Sequence, residues 1–122
     1  MQTSRSLHKL ALCAIAMSFV LAGTALAHHG WSGYDEQKTL TLTGTIQESA
    51  YDNPHASVRL QVEGKTWLAI LAPPSRMDAR GLQRDTLKTG TTATVVGYPS
   101  RSNLDELRVE RITIGGKTTE LR

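Results

Sequence analysis

The sequence predicts an all-β fold with one short helix. Three observations carry that expectation. Short alternating or β-branched stretches recur after residue 38, Gly- and Pro-containing turns separate them, and only residues 73–90 depart from the pattern.

In the first stretch, Thr-Leu-Thr-Leu-Thr from Thr39 places Leu40 and Leu42 on one face, and Gly44 marks a bulge or bend before Thr45 and Ile46. "YDNPH" follows as a turn, because Pro54 holds Asn53 away from helical geometry and brings no backbone donor. "ASVRLQVEG" then sets Val58, Leu60 and Val62 against Arg59, Gln61 and Glu63, the alternation of a half-buried strand. Gly64 and Lys65 turn the chain into "TWLAILA", which is apolar on both faces and reads as the most buried strand.

Two prolines end that strand, Ser75 is a candidate helix cap, and Gly90 after Lys88 is a stop signal, so one short helix or a pair of turns belongs here, with Gly81 as a breaker. "TTATVVGYPS" and "ELRVERITI" resume strand character around the loop "RSNLDE". Leu107 and Val109 have one parity and Ile112 and Ile114 the other, which predicts a bulge near Arg111. Gly115 and Gly116 turn the chain into "KTTELR", a short edge strand. Three strands, a helix and two strands in this order predict a small five- to six-stranded OB-like barrel, with a small β-sandwich as the alternative.

Residues 1–27 read as a signal peptide. Arg5 and Lys9 precede an apolar run, and Ala25 and Ala27 form a small-x-small cleavage pattern that makes His28 the new first residue. The run is shorter than the roughly 20 residues of a membrane span. Leu12 before Cys13 does not suit lipid attachment. The expected product is periplasmic or secreted, without stable membrane insertion after cleavage. It comprises a His/Trp segment over residues 28–38 and a barrel domain over residues 39–122. The whole chain has 14 basic and 11 acidic residues, and losing Arg5 and Lys9 leaves 12 against 11. Near balance gives no support to nucleic-acid binding. Cys13 is the only cysteine and leaves with the leader, so stability must come from packing rather than a disulfide.

Three histidines remain, His28 and His29 at the new terminus and His55 in "NPH". A terminal histidine offers its amine and its ring to one ion, and a third nitrogen from His55 would complete a histidine brace suited to Cu(II). His29 permits a rival mode through the amine, a backbone nitrogen and the second ring. The opposing reading is a flexible terminus with His55 hydrogen-bonded at a strand start. Met77 is the only thioether left, which disfavours soft Cu(I), and four ligands for structural zinc are not evident. Asp35 and Asp52 could orient imidazoles or cap turns. Trp31 and Tyr34 could pin the terminal segment or stack on a ligand, and Trp31, Trp67 and Tyr98 are the candidate ligand-face aromatics.

Arg76, Arg80, Arg84 and Lys88 would form one basic stripe on an unbroken helix, which Gly81 interrupts. No nucleophile elbow or phosphate-binding glycine loop occurs, and no residue is assigned a catalytic role. The functional expectation is an exported binding protein for a Cu(II)-type ion. The alternative is a metal-independent module that grips an envelope protein or glycan through the barrel face. Copper-dependent redox chemistry is a third reading.

The mature region resembles a family of small exported bacterial domains of unknown function. The likeness is carried by "HHGWS", "LTGTI", "NPH", Trp67, "PPSR", "RGL" from Arg80, "LKTG" from Leu87 and "VVGYPS". That resemblance implies a signal peptide and a small β-barrel, and it implies no established activity.

Overall fold

A computed structural model describes residues 30–122. The expected leader, together with His28 and His29, lies outside the described residues. Six strands form one sheet: β1 (Leu40–Ala50), β2 (Ser57–Val62), β3 (Lys65–Ile70), β4 (Thr92–Pro99), β5 (Glu106–Ile114) and β6 (Lys117–Glu120). Their order is β3-β2-β1-β4-β5-β6, and a parallel pairing of Leu68–Ile70 with Glu106–Arg108 joins β3 to β5. Five strands therefore close into an OB-like barrel with β6 added outside the ring. The closure excludes the sandwich alternative.

One long strand serves two partners. The first half of β1 pairs with β4, from Leu40 opposite Gly97 to Thr45 opposite Thr92, and the second half pairs with β2. Gly44 sits where β1 changes partner. A β-carbon there would meet the Gln61 carbonyl oxygen at 2.1 Å, so this glycine permits a close crossing, while the irregularity itself falls between Ile46 and Glu48. At Gly97 an added β-carbon would likewise run into the Arg108 carbonyl oxygen. The bulge expected near Arg111 is present one residue earlier: Val96 pairs with Arg111 and Gly97 with Val109, leaving Glu110 as the extra residue. It lets Leu107, Val109 and Ile112 all enter the core despite their mixed parity.

Val58 and Leu60 point inward as expected, beside Ile46, Val95, Leu107, Val109 and Ile112. Strand β3 departs from the expectation of greatest burial. Trp67, Leu68 and Ile70 are only half-buried, and the fully buried Leu71 and Ala72 lie beyond the strand end. Only the last half of β3 pairs with β5. The turn before it also differs by one residue, because Glu63 and Gly64 carry the positive φ values of a tight hairpin turn and Val62 pairs with Lys65.

Helix α1 (Pro74–Ala79) begins at Pro74, with Pro73 as its cap residue. Ser75 is inside the helix and does not cap it, since proline already occupies the first position, where a missing donor costs nothing. Gly81 ends the helical segment at a φ of +78°. A 3-10 turn over Arg84–Leu87 follows. Met77 and Leu87 are fully buried in the barrel core, so this connection is a plug. The basic stripe is consequently broken up. Arg76 donates to the Leu121 carbonyl, Arg80 to the Glu120 carbonyl and a backbone oxygen of Arg122, and Arg84 to the Tyr51 carbonyl while stacking 5.4 Å from the Tyr51 ring.

Tyr51 latches β1 to the plug. Its hydroxyl lies 2.7 Å from an Asp78 carboxylate oxygen and 2.8 Å from the Leu82 carbonyl. Desolvation, then the hydrogen bond and charge of Asp78, push its pKa up to about 12 from 10.0.

Two outcomes are expected. Gly44→Ala and Gly97→Ala should each lower stability by more than about 2 kcal/mol in urea unfolding, because backbone must move to admit the methyl group. Tyr51 contributes stability that is complete below pH 10 and declines as pH rises toward 12, since only the unfolded phenol ionises there. Tyr51→Phe should therefore be less stable at pH 8 and lose less further stability at pH 11 than the wild type, measured by the urea midpoint.

Candidate functional site

The segment before β1 is held on the outside of the barrel. A 3-10 turn over Trp31–Gly33 leads to Tyr34, which bridges to Ser100 at the end of β4. The Asp35 amide donates to the Pro99 carbonyl, and the Arg101 amide donates to the Gly33 carbonyl. Tyr34 is buried and donates to a Glu106 carboxylate oxygen at 2.7 Å. Burial, reinforced by that bond and by the Glu106 charge, raises its pKa, and the Arg108 charge opposes the rise.

Trp31 rests edge-on against Tyr98, with ring centroids 6.0 Å apart and planes at 75°. Two guanidinium groups adjoin its ring, Arg108 at 4.9 Å and Arg122 at 4.4 Å. Trp31 and Tyr34 thus pin the segment through an aromatic pair, two cation–π contacts and one buried hydrogen bond. Tyr98 also reaches back to Glu110 at 3.1 Å. Its pKa is raised, first by desolvation and then by Glu110. Trp67 belongs to a different place. Its half-buried ring packs against the core from inside the barrel, with Lys65 4.4 Å from the ring centroid.

Arg108 is the residue that the sequence did not single out. It occupies the outward parity of β5 opposite Tyr98, yet only 5% of its surface is exposed because the terminal segment covers it. Its Nε has no hydrogen-bond partner. Burial lowers its pKa, the Arg76 charge adds to the lowering, and Tyr34 opposes it. A cation–π contact supplies up to about 2 kcal/mol, less than the several kcal/mol lost on desolvating an ion. An "RVERI" stretch offers no signal of this, since an outward arginine on a barrel strand is ordinarily solvated.

His55 lies just before β2, half-buried, between the exposed Pro54 and the fully buried Ala56. Ala56 is locked to the end of β3, its amide on the Ala72 carbonyl and its carbonyl on the Leu71 amide. Pairings then run in one row around the barrel: Ser57 with Ile70, Ile70 with Arg108, Arg108 with Tyr98. Trp31 lies against the last two members of this row, and His55 precedes its first by two residues. The described residues contain no group of three His, Cys, Asp or Glu side chains able to hold a metal ion. Asp35 caps a turn by accepting the Gln37 amide at 3.1 Å, and it faces Lys38 and Arg101. Asp52 is exposed on the loop before His55.

A cleft of about 460 Å³ opens beside Trp31, lined also by Tyr34, Glu36, Gln37, Arg101 and Arg122. A second, of about 450 Å³, lies over Tyr51, Asp78 and Arg84. No helix among the described residues is long and apolar enough to cross a membrane.

The barrel is similar to part of TiaS in two crystal structures. In the complex with an isoleucine tRNA and ATP the TM-score is 0.51 at 16% identity, covering 73% of this chain and 20% of that one. In a ZRD-deleted mutant bound to agmatine it is 0.50 at 17% identity, covering 72% and 25%. This chain therefore spans a quarter or less of those proteins, and the likeness shows the fold alone. No curated protein matches the sequence. Residues 16–107, most of the chain, match the Family of unknown function (DUF6152), and the protein belongs to that family.

Proposed function

We propose that the protein is exported, is cleaved before His28, and binds a Cu(II)-type ion through the His28 amine and ring, with His55 or His29 as the further nitrogen donor. The observation that supports this reading is the position of Trp31. It lies against Arg108, and the row from Arg108 through Ile70 to Ser57 crosses two strand spacings, about 10 Å. His55 shares the parity of Ser57, and the intervening Ala56 is buried. His28 stands three positions before Trp31, a reach of about 10 Å when extended. An extended terminus of this length would bring the amine toward the start of β2, next to His55, while Trp31 and Tyr34 stay docked.

The chemistry suits such an ion. Amine and imidazole nitrogens are the donors that Cu(II) prefers, and Asp52 on the adjoining loop can orient an imidazole. Binding and carriage of the ion are proposed, with no catalytic residue assigned.

The test uses protein exported through its own leader, with mass spectrometry reporting the first residue. Cu(II) titration followed by electron spin resonance should show one-to-one binding by nitrogen donors. One extra residue before His28 and the His55→Ala variant should each weaken binding by at least about tenfold, the loss of one donor from a chelate. Binding that is weak and indifferent to both changes would refute the assignment.

A further inference from the structure

Two arginines, Arg76 and Arg108, have no carboxylate partner among the described residues. Arg76 reaches only the Leu121 carbonyl, and Arg108 is buried against Trp31 with an unbonded Nε. None of the seven ion pairs among the described residues involves either of them. The shortage cannot be made good from residues 1–29, which contain no Asp or Glu. All 11 acidic side chains lie within the described residues.

The groups around Arg108 on each neighbouring element are already engaged. Tyr34 from the terminal segment is neutral and spends its proton on Glu106, whose other oxygen accepts from Asn103. Arg76 from α1 is cationic, and Glu110 from β5 pairs with Arg111 at 3.2 Å. Arg122 from the tail pairs with Glu36 at 2.6 Å, and Arg101 lies 3.7 Å from Asp35. Arg76, Arg101, Arg108 and Arg122 thus share two carboxylates as ion-pair partners, Asp35 and Glu36. Residues 28–122 hold basic and acidic side chains in nearly equal number, so this pole of charge is a local arrangement and not a reflection of composition.

From this geometry we propose that the cleft beside Trp31 holds a phosphate group. Arg101 and Arg122 line the cleft and present guanidinium forks, whose geometry matches phosphate oxygens. Arg108 lies against Trp31 and, with Arg76, supplies charge that no ion pair among the described residues offsets. A dianionic phosphate answers an excess of this size better than a single carboxylate does. The site contains no histidine and is independent of the copper assignment.

The experiment compares the thermal midpoint of the exported protein in inorganic phosphate and in chloride of equal ionic strength. The wild type should show a phosphate-specific rise. Arg108→Met should be no less stable than the wild type in chloride, because it removes an uncompensated buried cation, and its phosphate-specific rise should disappear. Should that variant fail to fold, the surface variant Arg122→Gln carries the test, with about tenfold more phosphate needed for the same rise. No phosphate-specific rise in the wild type, or an equal rise in every variant that folds, overturns the proposal. Phosphatidylglycerol vesicles distinguish the source. Co-sedimentation that Arg122→Gln abolishes assigns the phosphate to a lipid headgroup, and a response to inorganic phosphate without co-sedimentation assigns it to a soluble ligand.

Discussion

The parallel contact of Leu68–Ile70 with Glu106–Arg108 is the constraint on which the architecture depends. Without it the six strands would form an open, strongly coiled sheet with two free edges. With it, five strands share one interior, and Ile46, Leu60, Val95 and Ile112 become a single core rather than patches on a sheet face. Closure requires the barrel to be narrow where β1 passes from β4 to β2 and where β4 crosses β5. At those two positions the chain carries Gly44 and Gly97, and in each case backbone of the neighbouring strand occupies the space a side chain would need.

Closure also shapes the outer surface. Because β3 and β5 are neighbours, residues remote in sequence fall into one row, and a segment docked on β4 and β5 lies within reach of the start of β2. The docking has its own cost. Trp31 and Tyr34 cover Arg108, and the chain offers that buried cation an aromatic face but no anion. The same contacts therefore immobilise the terminal segment and concentrate positive charge beside it. A terminal metal ligand and an anion-holding cleft would be two uses of one anchoring arrangement.

Much of the fold could be read from the residues because its signals are local. Alternation identified β2, parity change identified the bulge at Glu110 to within one residue, and paired glycines identified the last hairpin. What escaped was set by tertiary contact. The burial of β3 depended on how far β5 extends along it, which no window of sequence reports. The arginines of residues 76–88 keep helical spacing on paper, and Gly81 divides them between the C-terminal tail and Tyr51. The histidines were visible as chemistry, while the row of paired residues that links the start of β2 to the Trp31 segment follows from strand pairing alone. Arg108 carried no local signal at all, since its burial is imposed by residues more than seventy positions earlier in the chain.

The grip on the C-terminal tail has a consequence for how this protein can vary. Arg76 and Arg80 take hold of carbonyl oxygens at residues 120–122, and the Leu121 amide returns a bond to Glu110. These bonds ask for backbone oxygens alone, whereas the side chains here have their own engagements, Glu120 with Arg111, Arg122 with Glu36 and Trp31, and Leu121 in the core. Spacing is a different matter. Inserting or deleting one residue between the last hairpin and Leu121 would move every carbonyl out of step with the two guanidiniums. The grip of the two arginines is thus indifferent to spelling and sensitive to length.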